Sequence, residues 1–193
     1  MASADSPASQ LPHLVVWDFD ETVLRIHAYG LRLTPEDVAT RELESDVADL
    51  PFFRACVAAA LAEGHAVAIA SFGLFPVIEA YLARVCPGVF TRANVSTPSC
   101  VGVADGCSGP SGKVPQLDLL LSQQLLGGEA VSNRDRQRVV FFDDSAANVA
   151  GTLAAGYRRS YLVPMGGFTS WAWRDIAKAE DAALFGDAER LDS

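Results

Sequence analysis

The stretch Leu14-Val15-Val16-Trp17-Asp18-Phe19-Asp20 decides how this chain reads. Apolar residues, mostly β-branched or aromatic, run without a polar break and stop at two acids one residue apart. A continuous run of this kind suits a strand covered on both faces, as in a parallel sheet. The same arrangement returns at Val139-Val140-Phe141-Phe142, which runs into Asp143-Asp144. Further strand candidates are Ala66-Val67-Ala68-Ile69-Ala70, ending at Ser71, then Ala93-Asn94-Val95-Ser96 and Ser160-Tyr161-Leu162-Val163.

Helical signals lie between these runs. Residues 52–62 are Ala-rich and stop at Glu63-Gly64, a C-terminal signal. Pro76 opens a helix to 85, closed by Pro87-Gly88, and Pro115 opens another to 125, closed by Gly127-Gly128. Residues 146–155 form a fourth, ending at Gly156. Strands alternating with helices predict a doubly wound α/β sandwich with a mainly parallel sheet. Ligands of such sheets bind beyond the carboxyl ends of the strands. Asp18, Ser71 and Asp143 all fall at such ends.

Two stretches fit this rhythm less well. Residues 25–49 are a polar insert after the first strand, with a helix-start signal at Thr34-Pro35-Glu36, and 98–112 read as a long loop rich in Gly, Ser and Pro. Neither is large enough for a second domain, so 12–193 read as one domain behind a disordered tail at 1–11.

The bulk numbers exclude several classes. The chain has 193 residues, is 50% hydrophobic and carries a net charge of −9. An acidic chain is a poor non-specific partner for nucleic acid. A phosphorylated substrate remains compatible, because a bound cation reverses the local sign of an acidic site. No apolar run reaches membrane-spanning length, and no apolar stretch follows a basic N-terminal region, so neither a membrane partner nor a signal peptide is expected. Cys56, Cys86, Cys100 and Cys107 form no C-x-x-C pair, and only His13, His27 and His65 are available besides, so no zinc pattern emerges. Separate reduced thiols in a cytoplasmic protein are the expectation. A Cys100–Cys107 bridge across the Gly-rich loop is the alternative.

The polar residues at the strand ends match the needs of phosphate-monoester hydrolysis: a nucleophile, a proton donor for the leaving oxygen, and positive charge around the phosphoryl group. Asp18 ends the first strand, and Asp20 stands close enough to serve as acid and base. Ser71, followed by Phe72-Gly73, presents a hydroxyl and backbone N–H groups to an anion. Lys113 precedes a Pro-started helix, so its charge and the helix N-terminus can face one phosphate. Asp143 and Asp144 supply the hard carboxylates that Mg²⁺ prefers.

In this order, Asp18-Phe19-Asp20-Glu21-Thr22-Val23, Ser71, Lys113 and Asp143-Asp144-Ser145-Ala146-Ala147-Asn148 resemble the four motifs of the haloacid dehalogenase superfamily. The resemblance spans 14–148 and implies a Rossmann-like fold. It implies that Asp18 forms an aspartyl-phosphate, that Asp20 is the general acid and base, and that Ser71, Phe72 and Lys113 hold the phosphoryl group. Mg²⁺ would be bound by the Asp18 carboxylate, the Asp20 backbone carbonyl and the Asp143 side chain. Asp144 would act through water or orient Lys113, and Asn148 would support the metal ligands. Members that cleave carbon–halogen bonds lack the second aspartate, so Asp20 points to phosphoryl transfer.

The gaps between motifs leave no room for a large cap domain; at most, 25–49 form a small flap. The chain is therefore similar to capless magnesium-dependent phosphatases, whose open site admits a phosphoprotein as well as a small phosphate ester. Asp20-Glu21-Thr22 also resembles phosphatases of the RNA polymerase C-terminal tail, which Ser71 and Asp143-Asp144-Ser145-Ala146 fit less closely.

Each feature has a plainer reading. A lone D-x-D can be a turn or a helix cap, Lys113 an exposed loop lysine, and Asp144 a cap for the helix at 146. Arg25 and His27 read as part of a solvated insert, Trp171 and Trp173 as packing for a terminal segment, and the acidic stretch 181–192 as a solvated helix end. Two other functions compete: a phospho-acceptor regulatory module, whose receiver architecture also uses an aspartate, a hydroxyl and a lysine, and a catalytically silent scaffold.

Overall fold

The computed structural model describes residues 12–177 and 184–185. The apolar runs form a parallel five-stranded sheet: β1 (Leu14–Trp17), β2 (Ala66–Ala70), β3 (Val95–Ser96), β4 (Val139–Asp143) and β5 (Arg159–Leu162), in the order β3-β2-β1-β4-β5. Around it lie α1 (Pro35–Thr40), α2 (Leu43–Asp46), α3 (Leu50–Ala62), α4 (Phe75–Val85), α5 (Val114–Leu125), α6 (Asn133–Arg136), α7 (Ala146–Ala154) and α8 (Ser170–Ile176). This is a Rossmann-like α/β fold, with no large cap among the described residues. No described helix is long and apolar enough to cross a membrane.

Strand pleating explains why the runs are apolar throughout. Val15 and Trp17 point into one core, with Phe53 of α3, Tyr81 of α4, Phe142 and Trp173; Leu14 and Val16 point into the other, with Leu117, Leu120 and Leu121 of α5 and Phe141. Both faces are covered, so neither tolerates an alternating polar set. Trp17, Phe142 and Phe168 form an aromatic cluster, with Phe142 and Phe168 ring centroids 4.7 Å apart.

Element ends differ from the sequence expectations for local reasons. Helix α3 starts at Leu50 rather than 52, because Asp49 caps it by accepting from the Phe52 N–H at 3.1 Å. Strand β3 is shorter than 93–96, since Asn94 is drawn into a turn where its Oδ1 accepts from Thr91 N–H at 2.7 Å. Strand β5 begins one residue earlier, at Arg159, in register with Val140. Within 98–112 the chain makes a single 3₁₀ turn at Pro98–Val101. Cys100 and Cys107 are exposed free thiols rather than a bridge, and Cys56 and Cys86 are buried. The expected tail at 1–11 lies outside the described residues, as does most of 181–192.

The insert 25–49 is well anchored. Thr34 and Asp37 form a capping box at α1. The buried Asp46 accepts two hydrogen bonds from Arg41, at 2.5 and 2.7 Å, and one from Tyr81 Oη at 2.6 Å, tying α2 to α4. Arg25 donates to the carbonyls of Val47 and Ala48, closing the base of the insert.

Candidate functional site

Strand order sets the position of the site. The chain leaves β1 outward through β2 and β3, then returns across to β4 on the other side of β1. Where the direction reverses, the connections at the strand ends diverge and open a crevice. Trp17 pairs with Phe142 across this point, and the Asp18 N–H donates to the Phe142 carbonyl at 2.8 Å. Asp18 and Asp143 therefore emerge side by side.

Three carboxylates meet there. Single oxygens of Asp18, Asp143 and Asp144 all lie within 4.8 Å of one another. Asp143 is held firmly: its Oδ1 accepts from Ser145 N–H at 2.8 Å, and Asn148 Nδ2 donates to Oδ1 and Oδ2 at 3.1 and 3.0 Å. Thr22 steers Asp144, taking a hydrogen bond from its N–H at 3.1 Å while its hydroxyl donates to Oδ1 at 3.4 Å. Thr22 is in turn buttressed by Phe168, whose N–H donates to the Thr22 carbonyl. Gly167 must be glycine for that approach: its φ is +93°, and a Cβ there would sit 2.7 Å from the Thr22 carbonyl oxygen.

Lys113, at the start of α5, is the counter-charge. Its ammonium donates to Asp18 Oδ1 and to the Ala70 carbonyl, and stands 4.2 Å from the centre of the Phe72 ring. Among the described residues no hydrogen bond is made to Asp18 Oδ2, and Asp18 borders the cavity described below. Ser71 Oγ accepts from Gly73 N–H at 3.0 Å, which leaves its own proton free to donate. Gln116 fixes the Ser71 backbone by donating to its carbonyl at 2.8 Å.

Asp20 lies in the loop that follows, where the backbone winds through a wide turn and Glu21 adopts φ 57°. Its carboxylate faces the insert: Oδ1 accepts from Ala28 N–H at 3.0 Å and Oδ2 from Tyr29 N–H at 3.2 Å, with His27 Nε2 4.0 Å away. Burial raises its pKa above the ordinary carboxylate range, and those N–H donors act against the rise.

The acid cluster is under electrostatic stress. Burial, reinforced by the Asp18 charge, pushes Asp143 up to about 7, and burial pushes Asp144 up to about 6. A single ammonium does not balance three carboxylates this close. The three carboxylates could hold a metal ion.

A cavity of about 450 Å³ opens over these groups, reached by Asp18, Asp20, Ser71, Gly73, Asp144 and Asn148, with His27 and Tyr29 at its side. The sequence-selected residues Asp18, Ser71, Lys113, Asp143, Asp144 and Asn148 are thus brought together, and Phe72 lies against Lys113. Asp144 and Asp20 each have a further hydrogen-bond partner. Asp144 joins the carboxylate cluster and is hydrogen-bonded to Thr22, and the Asp20 carboxylate accepts from the backbone of the insert. Arg25 supports the insert from below, whereas His27 borders the cavity. Trp173 packs in the core, and Trp171 is 63% exposed. Thr22 and Gln116 carried no role in the sequence reading. Thr22 stood inside the first motif, but Gln116, one residue past the helix-opening Pro115, gave no signal.

No family model matches the chain, and no curated protein is significantly similar to it.

Proposed function

We propose that the chain is a Mg²⁺-dependent phosphomonoester hydrolase working through an aspartyl-phosphate on Asp18. The observation that carries this reading is the cluster of Asp18, Asp143 and Asp144 beside a cavity that Asp18 borders, with Lys113 bound to Asp18 Oδ1. The Asp18 and Asp143 carboxylates with the Asp20 carbonyl would hold Mg²⁺, with Asp144 beside them, and the ion would supply charge neutralisation between a carboxylate nucleophile and a phosphate dianion.

The chain's own groups do the rest. Asp18 Oδ2 attacks phosphorus while the bond to the leaving oxygen breaks. Lys113 stabilises charge on the phosphoryl oxygens from beneath, and the Ser71 hydroxyl and the N–H groups around Phe72 bind them from the side. Asp20, kept protonated to higher pH by burial, gives its proton to the leaving oxygen. In the second half-reaction Asp20 takes a proton from water, which attacks phosphorus and frees Asp18 and inorganic phosphate.

Turnover of 4-nitrophenyl phosphate with Mg²⁺ or with excess chelator tests this reading. Many turnovers per chain that stop with chelator support it. Phosphorylation that halts at one phosphate per chain would instead mark a phospho-acceptor module, and no phosphorylation a silent scaffold.

A further inference from the structure

A second cavity, of about 500 Å³, adjoins the first and shares Asp20, Tyr29 and Gly73 with it. Its walls are mostly apolar, with Phe19, Ala28 and Leu33 on one side and Leu74, Val77 and Ile78 from the start of α4 on the other, and Asp20, Arg32 and Thr34 are the polar side chains among them. The walls are formed in advance. Residues 27–33 coil into a turn in which Gly30 N–H donates to His27 Nδ1, Leu31 N–H to the His27 carbonyl and Leu33 N–H to the Ala28 carbonyl. Arg32, at the rim, is held at φ 54°, a conformation that non-glycine residues keep only where the surroundings impose it. Asp20 itself binds this turn through Ala28 and Tyr29.

A further space beside the carboxylate cavity has different chemistry. This space, of about 510 Å³, is bordered by Gly109, Pro110, Ser111 and Gly112 and does not reach Asp20. Of these two adjoining spaces, only the apolar one is lined by Asp20, the proposed proton donor for the leaving oxygen.

We infer that the cavity between residues 27–33 and the start of α4 is the leaving-group subsite, and that its substrates are phosphomonoesters of alcohols with a ring-sized or branched apolar body rather than of polyols. This rests on reading Asp20 as the group that protonates the leaving oxygen. An apolar body seated between Leu74 and Leu33 leaves water without losing hydrogen bonds, whereas a polyol's hydroxyls placed there would face the apolar side chains of Phe19, Leu33, Leu74, Val77 and Ile78.

The test compares kcat/KM for 2-phenylethyl phosphate and 2-hydroxyethyl phosphate, primary alkyl esters of the same charge. A preference on the order of tenfold or more for the phenyl ester is expected. Leu74→Asn should narrow that ratio at least ~3-fold by removing one apolar wall. Leu74 is 41% exposed and occupies the N-cap of α4, where Asn is favoured, so the variant is compatible with the fold. Equal turnover of the two esters would overturn the subsite and leave the hydrolase reading standing. Turnover of neither would overturn the hydrolase reading. Calorimetric binding of 2-phenylethylphosphonate and 2-hydroxyethylphosphonate with Mg²⁺ then decides the cavity separately: tighter binding of the phenyl compound upholds an apolar subsite beside the anion site, and equal binding rejects it.

Discussion

The ammonium of Lys113 lies 2.5 Å from Asp18 Oδ1 and 2.5 Å from the Ala70 carbonyl oxygen, with its side chain only 1% exposed. A lysine is buried this fully only when its charge is paired. Removing it should therefore affect both chemistry and stability. Lys113→Ala is expected to lower kcat by about 10²–10³, the usual effect of losing a preorganised charge at the transition state. It should also lower the melting temperature of the metal-free protein, because the buried Asp18 loses its partner; Mg²⁺ should restore part of that loss. Lys113→Arg should not recover activity, since a planar guanidinium needs space this enclosed slot lacks. Near-normal kcat in a folded Ala variant would contradict the role assigned to Lys113.

Protons and metal should compete for the acid cluster. Asp143 is raised from 3.8 to about 7 and Asp144 from 3.8 to about 6, chiefly by burial. Between the unfolded and folded values the folded chain binds more protons than the unfolded one, so these groups make stability fall as pH rises across that window. Below about 4 and above about 7 their contribution is flat. The metal-free protein should thus melt lower at pH 7 than at pH 5 through this site, and the stabilisation by Mg²⁺ should grow over the same range. Calorimetric Mg²⁺ titrations at the two pH values check this; an affinity that does not change with pH would contradict it.

Asn148 donates to both oxygens of Asp143 and touches no other acid in the cluster. Replacing it with Ala should weaken Mg²⁺ binding by roughly 10–100-fold while the fold stays intact. Half-maximal activation by Mg²⁺ is the readout, and an unchanged midpoint would show that Asp143 needs no such support.

Tyr81 reaches across from α4 to Asp46 at 2.6 Å and secures the insert on which the Asp20 contacts depend. Tyr81→Phe removes one hydrogen bond to a carboxylate and nothing else of size, so a loss of about 1.5–3 kcal/mol is expected by denaturant unfolding. The pair with Arg41 should keep Asp46 ionised, because that hydrogen bond holds its carboxyl below the ordinary range. A stability change near zero would show that Tyr81 contributes packing alone.

Much of this architecture was legible from residues 14–20 and 139–144, because continuous apolar runs ending in acid leave few alternatives to buried parallel strands. The order of Asp18, Ser71, Lys113 and Asp143 was legible for the same reason: each stands at a strand end or helix start that local signals mark. What was not legible depends on contacts between distant segments. Nothing near Lys113 announces that it is buried against Ala70, and nothing in Asp20 announces that its carboxylate caps the backbone at Ala28 and Tyr29. Thr22 and Asp144 meet across 122 positions, and Gln116 meets Ser71 across 45. Ends of elements shifted where a side chain competed with the backbone, as Asp49 and Asn94 do.

The division of labour between Asp18 and Asp20 is the centre of the account, and trapping the phosphorylated protein tests it most directly. Asp20→Asn keeps the shape but loses the proton. With 4-nitrophenyl phosphate the first half-reaction needs little acid, while hydrolysis of the aspartyl-phosphate still needs a base. The variant should give a burst of nitrophenolate close to one equivalent per chain, then a slow phase, and acid-quenched mass spectrometry should find the phosphate on Asp18. Phosphate on Asp143 or Asp144, or steady turnover by Asp18→Asn, would contradict the account.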